Sequence, residues 1–136
     1  MGLIRTLARL LMAWVFVYGG LDVIRHPEPR AKTGGPFVDT LRGVVPFLPQ
    51  DTILLVRANA AVMVGAGLLL ALGKFERFAA VALAGSLVPT TLAGHRFWTF
   101  EEPGPRAQQV IHVNKNMAML GGLVMFALLS RPSRRR

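Results

Sequence analysis

Thr52–Leu72 reads TILLVRANAAVMVGAGLLLAL. Arg57 is its only charge, and a helix of this length covers roughly 30 Å, the thickness of a bilayer's hydrocarbon. Its apolar residues form a block without a period. They show neither the one-sided stripe of a surface helix nor the alternation of a membrane strand. Such a block needs lipid as its solvent.

Three further blocks have the same character: Leu7–Ile24 (LARLLMAWVFVYGGLDVI), Phe78–His95 (FAAVALAGSLVPTTLAGH) and Gln109–Leu129 (QVIHVNKNMAMLGGLVMFALL). The expected fold is all-α, an integral membrane four-helix bundle forming one domain over residues 1–136. Apolar residues make up 52% of the chain and the mean hydropathy is +0.44. A soluble domain of this size would leave large apolar patches exposed. There is no cysteine, which excludes disulfides, thiol redox chemistry and Cys-ligated metals. The net charge of +9 does not point to nucleic acid. The Lys and Arg residues lie between the apolar blocks, as span flanks, rather than on one soluble face.

The first block follows Arg5 and Arg9, as a signal peptide's apolar region would. It has no small-residue cleavage site and Asp22 closes it, so it is read as a retained anchor. Four spans put both termini on one side. Arg5, Arg9, Lys74, Arg77, Arg131, Arg134, Arg135 and Arg136 fall there in short segments, which makes that side, with both termini, cytoplasmic. The Arg134–Arg136 run is a topology anchor that also attracts anionic headgroups. On the outer side, residues 25–51 hold five of the nine prolines, so no long element is expected. Phe37, Val38, Leu41, Val44 and Val45 have helical spacing, which predicts a short interfacial helix over residues 36–45 opened by Pro36. Phe97, Trp98 and Phe100 stand where an aromatic belt belongs.

The polar residues of the spans share one depth. Tyr18 and Asp22, Arg57 and Asn59, Thr90, Thr91 and His95, and His112, Lys115 and Asn116 all fall in the outer halves. Gln108, His112, Lys115, Asn116 and Met119 form one helical stripe. The cytoplasmic halves hold little that is polar beyond Ser86. Ionisable groups in hydrocarbon cost ~2.5–3.5 kcal/mol each on insertion scales, so they usually face a bundle's interior. Two readings stay open. One is a ligand-binding cavity lined by Tyr18, Asp22, Arg57, Asn59, Thr90, Thr91, His95, Trp98, His112, Lys115 and Asn116. The other is interhelical glue, with Arg57 and Lys115 snorkelling and Asp22 pairing with one of them. Pro89 frees the carbonyl of Gly85 and is expected to bend the third span, with Thr90 and Thr91 placed to bond freed carbonyls. Ala61-x-x-x-Gly65 offers a small-residue face for helix contact.

These residues resemble the DoxX family of small bacterial membrane proteins. The matching pieces are Gly65–Gly73 (GAGLLLALG), Arg77–Ala80 (RFAA), Val88–Trp98 (VPTTLAGHRFW), then Gln109, His112, Lys115-Asn116 and Leu120-Gly121-Gly122, with Gly19-Gly20 late in the first span. The resemblance implies four membrane helices and a bacterial plasma-membrane location. It also implies an association with thiosulfate oxidation, a terminal quinol oxidase or thiol-related complexes. Many members carry a Glu early in the second span, where this chain has Asn59, so chemistry needing that carboxylate is not expected here.

Three functions follow as expectations. One is a non-catalytic subunit of a larger membrane complex, with other membrane proteins, the bilayer and a second copy as partners. Another is a quinone- or small-anion-binding redox component using Arg57, Lys115, His95 and His112. The remaining one is a small transporter or lipid-binding protein, for which four helices without a repeat offer little machinery. Quinone is the cofactor these residues could take. A bis-histidine haem between His95 and His112 is conceivable, but lone membrane histidines more often serve as hydrogen-bonding groups. No catalytic residue and no metal site is expected; no serine has a plausible base.

Overall fold

In hydrocarbon every backbone N–H and C=O must find its partner within the protein, so long apolar blocks become helices. The computed structural model describes residues 2–130. Its helices are α1 (Gly2–Arg25), α2 (Glu28–Val44), α3 (Thr52–Ala71), α4 (Glu76–Gly94) and α5 (Pro103–Leu129), with a 3-10 turn at Phe97–Thr99. There is no strand among the described residues. α1, α3, α5 and the stretch from Glu76 to Thr99 are long and apolar enough to cross a membrane. The chain is an all-α membrane bundle. The basic tail read as a topology anchor, Arg131 and Arg134–Arg136, lies outside the described residues.

α1 packs most closely on α3, α4 lies between α3 and α5, and α2 rests on α4 and α3. Phe16, Ala66, Leu70, Ala79, Ala80, Leu83, Leu87 and Leu123 form the shared core. Outward, Leu11, Trp14, Phe78, Val81, Ile111, Met117 and Leu128 are exposed on every side, a surface suited to lipid and not to water. Close approach of α1 and α3 depends on two glycines. A Cβ on Gly20 would sit 2.8 Å from Val64 Cγ2 and 2.9 Å from the Ala60 oxygen, and one on Gly67 would sit 2.8 Å from Val17 Cγ2. The contact face is therefore Gly20, Ala60 and Gly67. The expected Ala61–Gly65 pair is not in it: both are exposed, and nothing lies within 4 Å of a Cβ on Gly65. Ala61 stands one residue, about 100° of helix, from the buried Ala60.

The α1 start, the α3–α4 turn and the α5 stop form one end of the bundle, called here the basal end. The other connections form the loop end. α3 ends at Ala71 and is followed by Gly73, whose φ of +68° suits a residue without a Cβ, and Lys74 N–H closes the turn on the Leu69 carbonyl at 2.9 Å. α3 begins at Asp51, whose carboxylate accepts from the amides of Ile53 and Leu54 at 2.8 and 3.2 Å.

The stretch before α3 differs from expectation. Instead of a short helix over 36–45 there is a 17-residue helix, Glu28–Val44, that runs through Pro36. Pro27 is its N-cap and Pro29 lies in its first turn, where a missing N–H costs nothing. Only Pro36 interrupts the ladder. The Thr33 and Thr40 hydroxyls bond the Pro29 and Pro36 carbonyls at 3.0 and 2.9 Å. Gly34 is buried, with Ala93 of α4 3.5 Å from its missing Cβ. Arg42 ties the far end down by donating to the carbonyls of Pro49 and Gln50 at 2.9 and 2.6 Å. Counting prolines misled because what matters is where in a helix each one falls.

Candidate functional site

α4 carries two adjacent threonines that face different neighbours. Thr90 turns to α3: the Asn59 amide donates to its hydroxyl at 3.0 Å, while Ser86 donates to the Asn59 oxygen at 2.9 Å. Thr91 turns to α5 and accepts from the buried Asn116 amide at 2.9 Å. Both threonines also donate back along α4, to the carbonyls of Ser86 and Leu87 at 2.8 Å. These are the neighbours of the carbonyl that Pro89 leaves free on Gly85, not that carbonyl itself, and α4 continues unbroken to Gly94. Asn59 suits this place because an amide can accept from one hydroxyl and donate to the other. A carboxylate could only accept. These five side chains satisfy one another and hold α3, α4 and α5 together.

One turn nearer the loop end the polar groups line a space. A cavity of about 360 Å³ is bounded by Thr33, Gly94, His95, Arg96, Thr99, Phe100, Gln109 and His112. His95 closes α4 and His112 lies on α5; their rings stack at 4.7 Å between centroids and 13° between planes. His95 Nδ1 lies 2.9 Å from Gln109 Oε1, and His112 Nδ1 lies 3.4 Å from Lys115 Nζ. An ammonium only donates, so His112 Nδ1 accepts and its proton sits on Nε2. An amide oxygen only accepts, so His95 Nδ1 donates, and in the neutral ring its Nε2 carries the lone pair. The stacked rings thus leave one donor and one acceptor without partners among the described residues. The Arg96 guanidinium bonds the Thr33 carbonyl of α2 at 3.4 Å and adds a fixed positive charge to the lining. Two imidazoles on opposite faces of a haem aim their nitrogens at each other across the iron. Rings lying face to face do not fit that arrangement.

Of the residues singled out in sequence, the loop end brings together Asn59, Thr90, Thr91, His95, His112, Lys115 and Asn116. It leaves four aside. Tyr18 is exposed and stacks on Trp14 at 5.7 Å. Asp22 pairs with Arg30 of α2 at 2.9 Å and with His26 at 3.5 Å, not with Arg57 or Lys115. Arg57 points away from the bundle. Trp98 is exposed and meets Phe97 edge-on at 5.2 Å. The inward stripe of α5 starts at Gln109, with Gln108 exposed.

Sequence reasoning also passed over polar groups that the fold assembles. Arg96, Thr33 and Gln109 join the cavity across loops. At the basal end, Glu76 accepts from Arg5 and Arg9 at 2.5 Å each and from the Ser130 hydroxyl at 2.7 Å. The basal end therefore carries a polar cluster of its own, of which Arg9 alone falls within a span read from the sequence. Glu76 as the sole acid among basic flanks was the available signal.

Fold and site together define a small helical membrane protein whose polar side chains meet between three helices at one end. The DoxX family model matches residues 4–96, and the chain belongs to the DoxX family. No curated protein and no solved structure matches the chain. The matched stretch ends at Arg96, so it includes His95, Asn59 and both threonines, while His112, Lys115 and Asn116 on α5 lie beyond it.

Proposed function

We propose that this protein is a ligand-holding component of a redox-linked system in a bacterial plasma membrane. Its ligand is a small oxygen-bearing molecule, foremost a quinone headgroup, seated in the loop-end cavity. The stacked pair of His95 and His112 carries the reading. With both rings neutral it offers one donor and one acceptor side by side next to Arg96, and no carboxylate among the described residues lines the cavity to repel an oxygen. A quinone carbonyl can accept a hydrogen bond from His112 Nε2–H and a quinol hydroxyl can donate one to His95 Nε2, so the pair can hold either form of the headgroup. Arg5, Arg9, Lys74 and Arg77 gather at the basal end, so on this reading the basal end is cytoplasmic and the cavity opens outward.

The test uses the full chain carrying Trp14→Phe, in mild detergent with a short-chain quinone, followed by quenching of Trp98 fluorescence. His95→Ala, His112→Ala and Arg96→Gln should each weaken binding about tenfold or more. Tyr18→Phe and Arg57→Gln should leave it unchanged. Equal binding by both histidine variants and the parent sinks the proposal.

A second reading, docking into a larger complex, is favoured by a different observation. Arg57 points outward on the same helix that exposes Ala61 and Gly65. Small residues let another membrane helix approach, and a buried guanidinium there would need an acidic partner. Gentle extraction and mass spectrometry should then find a partner protein that is lost with Arg57→Leu. A lone species in both cases counts against it.

A further inference from the structure

The basal end holds a second cavity that the quinone reading does not use. Between α1 and α5 lies a space of about 190 Å³ lined by Met125, Phe126 and Leu129, with Arg5 and Ser130 at its end. Further along α5 the two helices meet closely, with Met12 Cε of α1 2.5 Å from where a Cβ on Gly122 would be. The walls are apolar and the mouth is cationic. Arg5 and Arg9 share the Glu76 carboxylate, and Arg77 donates through Nε to the Ser130 carbonyl at 2.7 Å. The terminal nitrogens of Arg77 bond nothing among the described residues. Glu76 is the one acid here; Asp22, Glu28, Asp39, Asp51, Glu101 and Glu102 all belong to the loop end. Three guanidinium groups against one carboxylate leave a local surplus of positive charge beside a greasy slot.

We propose that this groove is a specific site for an anionic phospholipid. One acyl chain lies along Met125, Phe126 and Leu129, and the phosphate meets Arg5 and Arg77. An apolar groove alone would take any lipid, and arginines alone would take any anion. The two together select a molecule that carries both. A zwitterionic headgroup brings its own cation and does not offset the surplus.

Native mass spectrometry of the full chain tests this, with phosphatidylglycerol and phosphatidylcholine supplied at equal concentration. The parent should retain phosphatidylglycerol. Arg5→Gln and Arg77→Gln should each lower that retention about fivefold, the usual worth of one basic residue at an anionic headgroup. Met125→Trp, which fills the groove and keeps every arginine, should lower it as much. Arg106→Gln at the loop end should change nothing. Arg77→Gln leaves both Glu76 ion pairs in place and gives up only the bond to the Ser130 carbonyl, so an unchanged thermal unfolding temperature for this variant separates loss of binding from loss of fold. The terminal arginines are present in every variant. Equal retention throughout overturns the proposal and leaves only general attraction. Sensitivity to the arginines without sensitivity to Met125→Trp, with inorganic phosphate displacing the lipid, overturns it in favour of a plain anion site.

Discussion

Replacing Glu76 by Gln keeps the shape of the side chain and removes its charge. The carboxylate holds Arg5 of α1, Arg9 of α1 and Ser130 after α5, so one substitution loosens three contacts between three parts of the chain. The two arginines do not contribute equally. The Arg5 side chain is 37% exposed and can turn to water or headgroups, so its pair is worth about 0.2–1 kcal/mol. The Arg9 side chain is only 17% exposed, and its Nε is already buried without a partner. Breaking a fully buried pair by removing one member costs about 3–5 kcal/mol. Discounted for its position at the bundle end, Arg9 should account for about 2 kcal/mol of a total loss of about 2–3 kcal/mol. A denaturant titration in mixed micelles would measure this, with double-mutant cycles apportioning it. The Glu76–Arg9 coupling should exceed the Glu76–Arg5 coupling at least twofold. A Glu76→Gln loss under about 0.5 kcal/mol, or the reverse order of couplings, would refute the reasoning.

Three further outcomes are expected. Gly73→Ala places a Cβ at a φ of +68° and against the Arg9 guanidinium, so it should cost more than the ~1 kcal/mol of the backbone term alone. Gly67→Val should destabilise the chain by about 2 kcal/mol or more through the α1–α3 contact, whereas Gly65→Val on the open face should stay within about 0.5 kcal/mol; thermal unfolding in detergent separates the two. Asn59→Leu removes two interhelical hydrogen bonds and Asn116→Leu one, so losses near 1.2 and 0.6 kcal/mol are expected from micelle titrations at about 0.6 kcal/mol per bond in a membrane.

The chain's pattern alone settled that lipid is its solvent, that four helices are long enough to cross it, and which residues would be polar at depth. Block length and composition are local properties, and in hydrocarbon the backbone has one economical answer to them. Asn59, Thr90, Thr91, His95, His112 and Asn116 could be gathered at one level for the same reason: depth follows from position along a helix. Rotation does not. Whether Ala60 or Ala61 faced α1, whether Gln108 or Gln109 faced His95, and whether Arg57 looked in or out depended on which neighbour each helix met. Asp22 meets Arg30 and not Arg57 or Lys115 because Arg30 approaches on α2, a helix longer than proline counting allows. Tertiary packing also divided the polar set into side chains that satisfy one another and side chains that border a cavity. It joined Arg5, Arg9 and Glu76 across more than sixty residues of sequence. Helices are specified by their own residues, whereas the faces they present are chosen by the contacts between them.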